Sequence, residues 1–474
     1  MNKKALIEGV KWNSFAVLAS KVSVPVLAVI TARIIGVEDF GVYSLALAFY
    51  AVLMVLTRLQ LTEYIVYKQV PQEQCASYYT VSVVFSASMC FLFALAAPFV
   101  AAFFDMPALT PVLQCICATV VLFSMQEYRI ASARRDLKFR KLAIITSVVL
   151  LVDATSALVL AVLGFSYWSF VLSKPLSLII GLGVWEFSYR YSFKIPRLSK
   201  MVEAVKYSYP LAINGGTGWI QTQFDNVCVG KAFSASILGA YNIAFRIAVL
   251  PQAIFGEVFT KVLFPVFSSS CSDQSKYSTY LRLTKLCAII FLPLSVFVSF
   301  SSDILIKIVL GNEWMIAAPY LAILIWFGTL GIFGGISVPV FNSMGLTKQF
   351  MHYRLIRIGF TIPAIVVGAL ISPVAVAVAH VLTIVFALPL LYYYLCSNTE
   401  LKLQSILSSF REGLVASAVL AVILGLLRGF IPEVGLVVTF LMLSILSVIV
   451  VTITGWHDFK ALFQQYKGIK HEAT

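Results

Sequence analysis

One hairpin motif occurs twice in the sequence. Residues 36–49 read GVEDFGVYSLALAF, and residues 230–245 read GKAFSASILGAYNIAF. In both copies a glycine ends one apolar run, and a hydrophobe-Gly-x-Tyr step opens the next. The preceding runs also open alike, with VKW at 10–12 and VKY at 205–207. Offsets of 195 residues between the VKW and VKY openings and of 198 between the Gly-x-Tyr steps predict a duplicated structural unit.

The composition around this motif is that of a membrane protein. Of the 474 residues, 60% are apolar or aromatic and 12% are charged, and the mean hydropathy is +0.93. Soluble domains have about 45–50% apolar and about 25% charged residues, so a soluble domain is excluded. Apolar runs of about 20 residues fit transmembrane helices, whereas a porin-type barrel would alternate. About fourteen such runs predict an all-α polytopic membrane protein.

The basic residues support this count and give an orientation. Of the 35 Lys and Arg, 28 fall in segments on the N-terminal side of the membrane, four lie opposite, and three lie inside spans. By the positive-inside rule both termini are expected to be cytoplasmic. The net charge of +14 is therefore an insertion signal. We expect the basic loops to lie against anionic lipid headgroups and expect no nucleic-acid partner.

The repeat divides the predicted spans into lobes. Residues 1–200 hold spans one to six, residues 201–397 hold spans seven to twelve, and residues 398–474 hold two further spans and a short cytoplasmic tail. Six is even, so the two lobes keep the same orientation and form a parallel repeat. Such lobes predict a transporter in which a central cavity opens alternately to each side.

Polar groups inside the spans are the candidate site, because they are costly in lipid. On span seven, Asn214, Gln221 and Asp225 recur with helical spacing as one stripe, with Gln223 beside it. The candidate cavity residues are Lys21, Asn214, Gln221, Gln223, Asp225, Asn242 and Arg246. Lys21 and Arg246 are candidate contacts for an anion. Arg246 has a second interpretation, as the ion-pair partner of Asp225.

Two further intramembrane charges have a different interpretation. Asp153 and Lys174 lie at similar depths on either side of the turn at 164–166, which predicts a structural ion pair between spans five and six. The four histidines are scattered and most cysteines lie in apolar runs, so no metal or disulfide site is expected.

Several segments resemble a known family. They read ARIIGVEDFGVY at 32–43, ASARRDLKFRKL at 131–142, GFSYW at 164–168, LGAY at 238–241 and FPVF at 264–267. Together they are similar to the Wzx-type oligosaccharide-lipid flippases of the multidrug/oligosaccharidyl-lipid/polysaccharide exporter superfamily. The basic loop most resembles the colanic-acid and teichuronic-acid exporter branch.

The resemblance implies a MATE-like flippase fold. It also implies that the substrate is an undecaprenyl-diphosphate-linked oligosaccharide, which is moved across the plasma membrane for surface polysaccharide synthesis. It implies no cofactor, with proton or sodium coupling left open, and no catalytic step. It also implies that the two C-terminal spans form a groove for the lipid tail. Expected partners are the lipid-linked substrate, membrane lipids and the polymerase or glycosyltransferase machinery. The alternative is a cation-coupled drug or metabolite antiporter of the same superfamily.

Overall fold

The computed structural model describes residues 26–194, 198–258 and 273–430. Within these ranges the chain forms helices joined by short turns and no strand. Eleven of the described helices are long and apolar enough to cross a membrane. The prediction of an all-α polytopic membrane protein is thus confirmed. The count of fourteen spans stays a prediction, because span fourteen (434–454) and the start of span one lie outside the described residues.

The chain divides into two compact units, Met1–Gly239 and Ala240–Thr474. The helices up to the boundary are α1 (Val26–Ile35), α2 (Val37–Thr57), α3 (Leu61–Tyr67), α4 (Gln72–Phe103), α5 (Leu109–Arg135), α6 (Phe139–Val162), α7 (Trp168–Glu186), α8 (Leu198–Ala232) and α9 (Ala235–Val258), which crosses it. The remaining helices are α10 (Asp273–Phe300), α11 (Ser302–Val309), α12 (Ala318–Ser343), α13 (Thr347–Ile371), α14 (Pro373–Asn398) and α15 (Leu403–Phe430).

The same helix pairs pack in both units. In the N-terminal unit α4 packs on α5, α6 on α7, and α5 on α7 and α2. In the C-terminal unit α10 packs on α12, α13 on α14, and α12 on α14, while Gly328 of α12 lies against the backbone of Ala248 in α9. The matching pairs agree with the internal repeat. Helix α8 packs on α2 and α3, so it belongs to the first unit by its contacts. The lobe boundaries at 200 and 397 stay a prediction.

Local sequence explains where several helices begin and end. Helix α14 begins after Ser372, whose Oγ accepts a hydrogen bond from the backbone nitrogen of Ala375 at 3.0 Å, with Pro373 in the first turn. Helix α6 ends before Gly164, which has a φ of +85°. Arg134 and Arg135 occupy the last turn of α5, where their positive charges interact favourably with the negative end of the helix dipole.

The outer faces of the helices remain strongly apolar. Phe99 on α4 is 79% exposed and Leu370 on α13 is 82% exposed, and both helices are long and apolar enough to span a membrane. Exposed apolar faces of this kind on a soluble protein would promote aggregation. In a bilayer they contact hydrocarbon, so each unit needs only a modest buried core.

Candidate functional site

The polar stripe of α8 lies on one continuous helix. The described part of this helix places Gln221 and Asp225 one turn apart on one face, with Gln221 half-buried and Asp225 fully buried. Asn214 lies on the same helix, but its side chain is outside the described residues. A carboxylate buried inside a membrane protein is costly and marks a candidate functional site.

Gln223 does not lie in this stripe. It is two residues from both Gln221 and Asp225, so it faces the opposite side of the helix. Its Oε1 accepts a hydrogen bond from Asn226 Nδ2 at 3.2 Å. On the neighbouring face Trp219 donates through Nε1 to the carbonyl of Ala48 in α2 at 3.2 Å. Gln223 therefore has a local partner on the side of α8 that packs on α2.

The two candidates on α9 are joined directly. Arg246 Nε donates to Asn242 Oδ1 at 2.7 Å, one helical turn away. Asn242 is buried and Arg246 is half-buried. The amide orients the guanidinium, a group that binds phosphate through parallel charge-assisted hydrogen bonds. Pairing of Arg246 with Asp225 would join the two units and stays a prediction.

An aromatic cluster that no sequence pattern predicted includes Tyr241 and Phe245 of α9. His380 of α14 is 1% exposed, and its Nδ1 lies 3.4 Å from the hydroxyl of Tyr241. Its ring stacks on Phe245 at 5.5 Å and tilts against Phe327 of α12 at 4.1 Å between centroids. Tyr241 belongs to the repeated hairpin motif, so the motif supplies a side chain to the core of the C-terminal unit. No local spacing links His380 to this motif.

Lys174 and Asp153 lie together in the N-terminal unit. Lys174 Nζ donates to Asp153 Oδ2 at 2.7 Å, and Ser173 Oγ donates to the other carboxylate oxygen at 2.9 Å. The pair joins α6 to α7, the two helices on either side of the Gly164 turn. Both carboxylate oxygens are thus engaged within the unit. Lys21, the remaining intramembrane cation of the sequence, lies outside the described residues.

The basic residues at the end of α5 differ from the expectation that they simply meet lipid headgroups. Arg129 is only 5% exposed at its side chain and donates to Glu186 at 2.6 Å, with its guanidinium 5.7 Å from the ring centres of Tyr79 and Tyr191. Arg135 is 9% exposed and donates to Asp136 at 2.9 Å. Arg129 joins α5 to the end of α7 through Glu186, and Arg135 joins α5 to the start of α4 through a hydrogen bond to Gln72 Oε1 at 2.9 Å.

A further ion pair lies beside this network. Arg58, which directly follows α2, donates two hydrogen bonds to Glu127 of α5, one of them from Nε at 3.0 Å. Its guanidinium lies 5.3 Å from the ring centre of Phe123. A bidentate arginine–carboxylate pair is the most specific ion-pair geometry. No local spacing predicts this pair, since the partners are 69 residues apart.

No candidate metal centre appears among the described residues, where no three His, Cys, Asp or Glu side chains are grouped for an ion. The free cysteines there, such as Cys75 and Cys117, are buried or half-buried. The candidate residues described above are polar and charged side chains of α8 and α9.

Comparisons with known proteins identify relatives along most of the chain. The sequence profile of a family of polysaccharide biosynthesis proteins matches residues 30–319. The lipopolysaccharide biosynthesis protein WzxC of Escherichia coli (strain K12) is 22% identical over 376 residues, which cover 77% of this chain and 75% of that protein. The succinoglycan biosynthesis transport protein ExoT of Rhizobium meliloti (strain 1021) is 24% identical over 388 residues, 78% of this chain and 76% of that protein.

A solved structure shares the fold. The lipid II flippase MurJ in an inward closed conformation matches with a TM-score of 0.76 and 15% sequence identity, covering 95% of this chain and 99% of that one. The expectation of a flippase-type fold is therefore confirmed. The profile match extends over more than half of the sequence and includes both copies of the hairpin motif. The chain belongs to this family of polysaccharide biosynthesis proteins.

Proposed function

We propose that this protein is a flippase that moves an undecaprenyl-diphosphate-linked oligosaccharide across the bacterial plasma membrane for surface polysaccharide synthesis. The two lobes predicted from the repeat open a cationic cavity alternately to each side of the membrane. No covalent chemistry is needed, because the substrate leaves unchanged. Membership of a polysaccharide biosynthesis family and the fold shared with a lipid II flippase support this proposal.

The observation that carries the proposal is the oriented cation on α9. Arg246 is held by Asn242 at 2.7 Å inside a helix long and apolar enough to span the membrane. A guanidinium binds phosphate oxygens through parallel charge-assisted hydrogen bonds. The stripe residues Asn214, Gln221 and Asp225 supply the amide and carboxylate groups that sugar hydroxyls prefer. In this proposal Lys21 supplies a second cation, and Gln223 serves the packing of α8.

Coupling to an ion gradient is part of the same proposal. Asp225 is fully buried in α8, and a carboxylate in that position can bind a proton or a sodium ion during the transport cycle. Both termini are cytoplasmic in this proposal, with polymerase or glycosyltransferase machinery as the partner that supplies or consumes the substrate.

Gene deletion followed by leaflet-specific analysis tests the function. We expect lipid-linked oligosaccharide to accumulate on the cytoplasmic leaflet and surface polysaccharide to disappear, with both restored by the wild-type gene. Normal surface polysaccharide together with altered drug resistance would instead identify a drug or metabolite antiporter. A purified protein in vesicles provides the second test, in which a fluorescent lipid-linked oligosaccharide becomes accessible to an external glycosidase only when the protein is present.

A further inference from the structure

The guanidinium of Arg357 makes no hydrogen bond within the part of the chain that the structure describes. Arg357 lies on α13, a helix long and apolar enough to span the membrane. Its Nε is buried, and the guanidinium lies 5.9 Å from the ring centre of Phe327 on α12. The hydrogen bond at this residue runs instead from Thr361 Oγ1 to its backbone carbonyl, at 2.9 Å. A buried polar group that the chain leaves without a partner calls for an ordered water or an ion.

The helices around Arg357 supply no carboxylate for this charge. Residues 314–399, which include all of α12, α13 and α14, contain no Asp and no Glu. Helix α13 packs on α14 and on α12. Arg354 lies one turn before Arg357, close enough for the two charges to repel each other. By contrast, Lys285 on α10 pairs with Glu412 of α15 at 2.8 Å. An uncompensated cation in a spanning helix is costly.

Two buried tyrosines lie in the same part of the unit. Tyr353 is one turn before Arg357 on the same face of α13, is 4% exposed, and is close enough to interact with the charge of Arg357. Tyr392 of α14 is 6% exposed and is close enough to interact with Tyr353 and Tyr280. The hydroxyl of Tyr280 is satisfied by Ser337 Oγ at 3.1 Å. The buried hydroxyl of Tyr392 has no hydrogen-bond partner among the described residues, so it is a second unused donor.

The chemistry of these unused groups defines the ligand. A guanidinium only donates hydrogen bonds, and the hydroxyl of Tyr392 also has a hydrogen to donate. Water would accept these hydrogen bonds but would leave the charge of Arg357 uncompensated, which is costly away from bulk solvent. An anion accepts the hydrogen bonds and compensates the charge. Because both Arg357 Nε and the Tyr392 hydroxyl are buried, the anion must be small.

We propose that the C-terminal unit binds a small inorganic anion with the chemistry of chloride, held by the guanidinium of Arg357 and the hydroxyls of Tyr353 and Tyr392. The anion joins α13 to α14 and offsets the repulsion between Arg354 and Arg357. It lies on helices other than α9, so it is separate from the proposed contact of Arg246 with the diphosphate. The site goes beyond the proposed flippase function, which is judged by where lipid-linked oligosaccharide accumulates after gene deletion and stands if the anion site fails.

Equilibrium binding of radiolabelled chloride to the purified full-length protein in detergent tests the site. We expect saturable binding of a single chloride to the wild type. Tyr392→Phe removes the hydroxyl and keeps the ring, and we expect at least about tenfold weaker binding, the effect of one lost hydrogen bond to a charged group. Tyr393→Phe is the matched control on the same helix, because Tyr393 is 65% exposed, and it should leave binding unchanged.

Melting temperatures in two salts test the guanidinium. Sodium chloride should stabilise the wild type more than the same concentration of sodium gluconate, because a ligand that binds only the folded state raises its stability. Arg357→Gln should lose this difference. In gluconate we expect Arg357→Gln to be at least as stable as the wild type, since a buried charge without a partner has been removed. Tyr392→Phe should also lose most of the difference, which keeps the test available if Arg357→Gln does not fold.

Three results would overturn the site. One is a wild type that binds no chloride and melts equally in both salts, which would leave only water at Arg357. Another is equal chloride binding by Tyr392→Phe and Tyr393→Phe. The third is a carbodiimide crosslink from the side chain of Arg357→Lys to a carboxylate at 431–474, outside the described residues, which would make the chain itself the source of the counter-charge.

Discussion

A Cβ placed on Gly239 would lie 2.9 Å from the backbone nitrogen of Gly41. These are the two glycines of the repeated hairpin motif, and both belong to the N-terminal unit. Gly41 in turn leaves no space for a Cβ beside the carbonyl of Ala235. The motif thus recurs because its two copies pack on each other through bare backbone, as small residues allow in membrane helices.

Substituting either motif glycine should destabilise the protein. Gly41→Ala or Gly239→Ala forces the two backbones apart, and we expect a loss of about 1–3 kcal/mol in the free energy of unfolding, the usual cost of overpacking. Gly183→Ala on α7 is the control, because its Cβ would meet nothing within 4 Å. That change should be neutral or stabilising, since alanine favours helix. Melting temperatures in detergent measure both. Equal stability of all three variants would refute the close packing.

The Lys174–Asp153 pair should behave as a structural element. Asp153→Asn leaves Lys174 without its carboxylate, and we expect a loss of about 1–3 kcal/mol with export per folded molecule unchanged. The double variant Asp153→Asn with Lys174→Met should recover much of this loss, because both charges are gone. The exposed pair of Lys231 and Asp105, at 3.2 Å, is the control and should contribute under about 1 kcal/mol. Export that falls while stability holds would place the pair in the transport site.

Acid should remove stability at the turn after α5. Burial of Asp136 raises its pKa, but hydrogen bonds from Arg135 and Tyr189 outweigh that effect and lower the pKa below its ordinary value. A lowered pKa means that the stabilisation is complete above the ordinary pKa, about 3.9, and is lost as the pH falls through the folded-state value. We expect Asp136→Asn to be less stable than wild type at pH 7 and the difference to shrink below about pH 4.

Thermal unfolding between pH 3 and pH 7 measures this effect. Asp105→Asn is the control, because Asp105 is 85% exposed at its side chain and its contribution should be small at every pH. A stability difference between Asp136→Asn and wild type that stays constant down to pH 3 would contradict the lowered pKa.

Features carried by hydropathy and short-range spacing were predictable from the sequence. The all-α class follows from the apolar runs, and the contact of Arg246 with Asn242 follows from their four-residue spacing on a helix. The contacts of His380 with Tyr241 and of Arg58 with Glu127 join residues 139 and 69 positions apart. Nothing local encodes them. Gln223 lies two residues from Gln221 and Asp225, so the helix places it away from the stripe, and its role in the cavity stays a prediction.

Arg246 provides the most direct test of the candidate site. Arg246→Ala removes the cation, and we expect export to fall at least about tenfold at normal protein level, the effect of one lost charge-assisted hydrogen bond. Asn242→Ala keeps the charge of Arg246 but removes the hydrogen bond that orients its guanidinium. We expect a smaller effect on export, and we expect it in the apparent affinity for substrate more than in the maximal rate. Lys21→Ala tests the second proposed cation in the same assay. Arg411→Ala is the control, since Arg411 is an exposed arginine of α15. Because Arg246 and Arg411 carry the same charge, equal export in the two alanine variants would show that the cation on α9 does not bind the diphosphate.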